Sequence, residues 1–143
     1  MKRILLAFTA LFLGVAVMAQ QKPDDVMKIN TDKYDFGKIK QGVPVATFFE
    51  IKNTSDKALV VENTWGSCGC TTPEKIEKPI QPGETTNLKV NYNAAALGHF
   101  DKTVSIKLAG INDPKVVSIT GEVLGATEYD TYQKTQPKDK SKS

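Results

Sequence analysis

Val45-Ala46-Thr47-Phe48-Phe49-Glu50-Ile51-Lys52-Asn53 runs directly into Thr54-Ser55-Asp56. Successive side chains of a strand point to opposite faces, so Val45, Thr47, Phe49 and Ile51 share one face while Phe48, Glu50 and Lys52 share the other. A helix would scatter the same residues around its circumference. The run is short, rich in β-branched and aromatic residues, and closed by residues that accept turn dihedrals. It predicts a half-buried strand followed by a turn.

The same two-residue period recurs further along the chain. Leu88, Val90 and Tyr92 alternate with Asn87, Lys89 and Asn91; Val104, Ile106 and Leu108 alternate with Ser105 and Lys107; Val117, Ile119 and Val123 are expected inside, with Ser118 and Thr120 in water. Strands are predicted over residues 26–29, 34–39, 45–53, 58–65, 85–92, 100–108 and 115–123. Turn chemistry separates them, as in Gln81-Pro82-Gly83-Glu84 and Gly110-Ile111-Asn112-Asp113-Pro114. About seven short strands joined this way predict an all-β fold: an immunoglobulin-like β-sandwich with antiparallel neighbours and Greek-key connections. The cysteine pair that links the two sheets of antibody domains has no counterpart, because the two cysteines here are two residues apart.

Upstream, Met1-Lys2-Arg3 precedes an apolar run from Ile4 to Met18, and Val17-Met18-Ala19 supplies the cleavage pattern before polar Gln20. Residues 1–19 therefore read as a secretory signal peptide, with an apolar run too short for a comfortable membrane span. No cysteine follows the expected cut, so a lipid anchor is not expected there. The organisation expected is a leader (1–19), a polar lead (20–25), the sandwich (26–124) and a disordered, Lys-rich tail (125–143). After cleavage no membrane span is expected, and the location expected is periplasmic or secreted.

The formal charge is +3, and removing Lys2 and Arg3 with the leader leaves +1. From residue 134 onward Lys134, Lys138, Lys140 and Lys142 stand against Asp139 alone, so the rest of the mature chain is slightly acidic. Nucleic-acid binding needs a concentrated basic face on the domain and is not expected.

The one unusual stretch is Trp65-Gly66-Ser67-Cys68-Gly69-Cys70-Thr71-Thr72-Pro73, at the start of a long connection. Three readings of Cys68 and Cys70 stay open. They form a local disulfide, with Gly69 permitting the bend; they bind a soft metal, for which Cu(I) suits two thiolates and Zn(II) lacks ligands; or they exchange with a partner thiol. The Cys-x-x-Cys spacing of dithiol oxidoreductases is absent. His99, the single histidine, reads as a turn or surface residue. Asp24, Asp25, Glu74 and Glu77 read as solvated carboxylates, and Trp65 as a packing residue of core or loop rather than a ligand platform. No catalytic set, phosphate-binding loop or cofactor signature is present, so neither an enzyme nor a cofactor is expected. The expected partner is another envelope or secreted protein, held at a sheet edge or by the loop formed by Trp65, Gly66, Ser67, Gly69, Thr71, Thr72 and Pro73.

Several segments, taken together, resemble one bacterial family, the domain of unknown function 1573. They are Tyr34-Asp35-Phe36-Gly37-Lys38-Ile39 with Gly42, residues 49–53, Cys68-Gly69-Cys70-Thr71, Pro82-Gly83-Glu84, Gly98-His99-Phe100 and Thr120-Gly121-Glu122-Val123. The resemblance implies an exported immunoglobulin-like module, in the style of Hydin-type and chaperone-type sandwiches. It implies little about role, although chaperone-type sandwiches accept partner strands along exposed edges.

Overall fold

The computed structural model describes residues 20–136. The expected leader and residues 137–143 of the expected tail lie outside them. After a short helix, α1 (Pro23–Val26), the chain forms β1 (Met27–Ile29), β2 (Lys33–Lys40), β3 (Val45–Asn53), β4 (Val61–Gly66), β5 (Thr71–Pro73), β6 (Thr85–Tyr92), β7 (Gly98–Leu108) and β8 (Lys115–Leu124), then α2 (Ala126–Thr135). The strands make two four-stranded sheets, ordered β1-β3-β6-β5 and β2-β8-β7-β4. The all-β sandwich inferred from alternation is the fold observed.

The alternation sets the core. Phe49, Ile51, Leu88 and Val90 from the first sheet meet Val104, Ile106, Val117 and Ile119 from the second, all wholly buried. Thr120 departs from expectation: it is buried, and its hydroxyl donates to the Phe100 carbonyl at 2.9 Å, which satisfies a polar group that burial would otherwise penalise.

Three corrections to the sequence reading concern connectivity. Residues 71–73, expected as loop, form β5 against β6, so there are eight strands. A three-residue strand containing a proline carries too little alternation to be read from sequence. Second, β2 pairs with β8 in parallel, because the chain passes from one sheet to the other through residues 30–32 without reversing. The Asn30 side chain marks the passage by accepting the Glu50 N–H at 3.0 Å.

The third correction is the tail, whose first part is the helix α2 instead of disordered chain. None of its residues is buried, so composition had no apolar face to reveal. Glu128 in the first turn and Lys134 in the last complement the helix dipole. Lys40 pairs with Asp130 at 3.1 Å, and the Lys38 ammonium lies 5.0 Å from the Tyr132 ring centre. Such exposed contacts contribute little. Truncation after Gly125 should therefore lower unfolding stability by less than ~1 kcal/mol while removing helical circular dichroism. A loss several times larger in a denaturant titration would show that α2 belongs to the core.

Three of the quoted segments meet at one place. A Cβ on Gly121 would lie 2.8 Å from two ring carbons of Phe100 and 2.9 Å from the Gly37 carbonyl. The Phe100 ring stacks on Tyr92 with centroids 4.0 Å apart. Tyr92 in turn pairs across the sheet with Thr71, the first residue of β5, so this aromatic stack lies directly behind the cysteine-bearing turn.

Candidate functional site

Gly66 ends β4 opposite Val104 in the second sheet, and Thr71 starts β5 opposite Tyr92 in the first. Residues 67–70 are thus the passage between the sheets. The Ser67 N–H donates to the Thr103 carbonyl at 2.8 Å, the Thr103 N–H donates to the Ser67 hydroxyl at 3.1 Å, and the Asn93 N–H donates to the Cys70 carbonyl at 3.0 Å. The Thr71 N–H closes the turn on the Cys68 carbonyl at 3.2 Å.

Within that turn Cys68 and Cys70 form a disulfide, with Cα atoms 5.2 Å apart. The sulfurs are thus bonded to each other, the state from which either a passive clip or an exchange would start. Gly69 is not what permits it: its φ is outside the left-handed region, and a Cβ there would meet nothing within 4 Å. The glycine that the geometry demands is Gly66, where a Cβ would fall 2.1 Å from the Thr71 carbonyl oxygen. A three-residue loop yields only about 1.5 kcal/mol of chain-entropy stabilisation, so hydrogen bonds and strand pairing hold the turn as much as the sulfurs do.

Both sulfurs are half-buried, and Cys70 packs against the hydrophobic core. Buried Thr71 places its hydroxyl 3.7 Å from the Cys68 sulfur and 3.8 Å from the Cys70 sulfur. Thr72 is exposed, and Pro73 pairs with Val90 at the sheet edge. His99 is not brought to the sulfurs. It stands opposite Glu122, four residues along β7 from Thr103 where the turn docks, or about 13 Å at strand rise. Among the described residues no group of three His, Cys, Asp or Glu side chains is placed to hold a metal ion.

Trp65, expected to pack in core or loop, keeps 41% of its surface exposed, on the outer face of the second sheet. It stands opposite Ser105, which stands opposite Val116, itself 48% exposed. Trp65, Ser105 and Val116 thus form one row across three strands. The next row carries Thr103 and Ser118, with Ser67 docked on Thr103. Sequence reasoning missed Val116, although the alternation that places Val117 inside also places its neighbour outside.

The sheet edges are less inviting. β1 and β5 have three residues each, and β5 ends in Pro73. β2 bears Lys33, Lys38 and Lys40 and shifts register between Asp35 and Lys38. Beside β4 the Thr64 hydroxyl donates to the Glu74 carbonyl at 3.3 Å, holding the following segment against the strand. Short strands, lysines, prolines and bulges are the devices that blunt edge pairing.

The profile of a family described as "Protein of unknown function (DUF1573)" matches residues 27–123. Among curated proteins none matches the chain. Solved structures similar to it include a protein of unknown function from Porphyromonas gingivalis W83, at 18% identity and TM-score 0.57, covering 68% of this chain and 46% of that one. The chain therefore spans about half the length of that relative. The PapD-like domain 7 of human CEP192 aligns at 9% identity and TM-score 0.59, over 80% of this chain and 96% of that domain. The SrpA adhesin of Streptococcus sanguinis aligns at 12% identity and TM-score 0.52, over 80% of this chain and 62% of the adhesin structure. At these identities the likeness is one of fold.

Proposed function

The chain belongs to the DUF1573 family, and from that premise we propose that it is an exported, non-catalytic binding module of the cell envelope, holding another envelope or secreted protein on the outer face around Trp65. The observation that carries this reading is the exposed Trp65, in one row with exposed Val116 and beside a covalently closed turn. Tryptophan is among the residues that most often anchor interfaces, because a rigid aromatic surface gains much from desolvation and loses little rotamer entropy. A turn pinned to the sheet presents that surface preorganised. Export is supported by Lys2-Arg3, the apolar run after them and the Val17-Met18-Ala19 pattern. A periplasmic or secreted location follows from this reading.

A photo-crosslinking residue at Ser105 in the cells that make the protein should trap one specific protein. The same probe at Asn87, on the opposite sheet, should not. Trp65→Ala should weaken that association by about 2 kcal/mol or more, roughly 30-fold, while leaving unfolding stability within about 1 kcal/mol of wild type. Equal crosslinking from both positions, or binding indifferent to Trp65→Ala, would remove the support for this face. N-terminal sequencing of the protein recovered from cells should begin at Gln20; chains that all retain Lys2 and Arg3 would refute export by cleavage.

A further inference from the structure

The disulfide closes only three residues, and the strands on either side are tied by their own ladders, Gly66 to Val104 and Thr71 to Tyr92. The fold therefore does not depend on the bond remaining closed. Three features around it bear on chemistry. Gly69 is exposed, and the space where its side chain would stand is open, so the outer side of the ring can be approached by another molecule. Both cysteines are half-buried, but Cys70 packs against the core and Cys68 does not join that cluster, so Cys68 is the sulfur assigned to receive the attack. Thr71 is only 3% exposed, and among the described residues the side-chain partners of its hydroxyl are the two sulfurs.

That last pairing is telling. A disulfide sulfur is a weak acceptor, whereas a thiolate is a charged and much stronger one. The buried hydroxyl is therefore better satisfied once the bond has opened than while it is closed. We infer that Cys68–Cys70 is a thiol–disulfide exchange site that accepts two electrons from an external dithiol, with the Thr71 hydroxyl donating a hydrogen bond to the departing sulfur.

A thiolate of the dithiol attacks the Cys68 Sγ, a new S–S bond forms there, and the Cys68–Cys70 bond breaks with its electron pair passing to the Cys70 Sγ. That thiolate takes the Thr71 hydrogen bond and then a proton from water. The second thiol of the dithiol gives up its proton and displaces Cys68 from the mixed disulfide. The dithiol leaves oxidised to a disulfide, and Cys68 and Cys70 remain as thiols. The exchange itself needs neither Trp65 nor Val116.

The test uses the purified chain in mixtures of reduced and oxidised dithiothreitol without denaturant, with acid quench, alkylation and intact-mass measurement. The pair should open fully while circular dichroism retains the sheet signal. Thr71→Val should slow the opening several-fold and raise the pH midpoint for alkylation of the reduced pair by about one unit, the size expected for a lost hydrogen bond to a charged group. Thr71→Ser should restore both. A wild-type bond that opens only after the chain is unfolded would overturn the inference, and this arm decides the exchange even where Thr71→Val does not fold. A folded Thr71→Val variant with wild-type rate and pH profile would overturn the role of the hydroxyl.

Discussion

Gly66→Ala should destabilise this protein by about 3 kcal/mol or more, a large share of the roughly 5–15 kcal/mol that holds a domain folded. The added Cβ would stand 2.1 Å from the Thr71 carbonyl oxygen and 3.0 Å from the Thr71 carbonyl carbon and Cβ. Most of what it meets is backbone, so no rotamer change relieves the overlap. Nor can the two strands separate freely. Gly66 is paired with Val104 and Thr71 with Tyr92, while the four intervening residues are closed by the disulfide and by hydrogen bonds to Thr103 and Asn93. The sandwich must open at this end or the turn must be rebuilt. Urea titration followed by circular dichroism should show a much lower midpoint. Gly69→Ala, three residues away and facing open space, is the control and should fall within about 0.5 kcal/mol of wild type. Equal midpoints for the two variants would mean that the close crossing of β4 and β5 is wrong.

The second large effect is expected at Asn53, which is completely buried. Its amide donates to the Lys57 carbonyl at 2.7 Å and the Ile80 carbonyl at 2.8 Å, and its carbonyl oxygen accepts the Ser55 N–H and hydroxyl, each at 2.8 Å. One side chain thereby ties the turn after β3 to the segment that leads into β6. Asn53→Ala removes all four bonds and leaves a void, for an expected loss of about 3 kcal/mol. Asn53→Asp should be worse near neutral pH, because a carboxylate has no proton to donate and would face two carbonyl oxygens in the interior. Burial raises the folded-state pKa of such a group above its unfolded value. Its penalty is therefore greatest above the folded pKa and shrinks as pH falls, since the protonated acid regains one donor. Denaturant midpoints of Asn53→Asp and wild type measured from pH 4 to pH 8 should converge toward the acid end. Parallel curves, or an Asn53→Ala variant of wild-type stability, would contradict the hub.

How much of this was legible follows from how locally each feature is encoded. Asn53 could be read as a turn residue, since Asn-Thr-Ser-Asp accepts turn dihedrals wherever it occurs; that its side chain closes the core could not, because its donors reach residue 80. The face of Trp65 could not be read, for a related reason. A tryptophan reads as a packing residue of core or loop wherever it stands, and its position opposite Ser105 places it on the outer face. Only the pairing of β4 with β7, between residues some forty apart, determines that. α2 escaped because a helix held by an ion pair and a cation over a ring has no buried stripe to betray it.

At the candidate site the division is sharpest. Cys68-Gly69-Cys70 stands out in any reading, and the alternatives of local bond, soft metal and exchange follow from sulfur chemistry alone. That the bond forms, that Gly66 rather than Gly69 is sterically required, and that Thr71 reaches both sulfurs depend on where two strands of different sheets cross.

The order of residues by itself determined the paired sheets and their buried faces, because the strand period is two and burial follows it directly along the chain. The parallel partner of β2, the exposure of Trp65 in one row with Val116 and the hydroxyl behind the disulfide come only from tertiary structure. Each of these is a contact between segments far apart in sequence. Contacts of that kind are set by packing and strand register, which no local pattern of residues specifies.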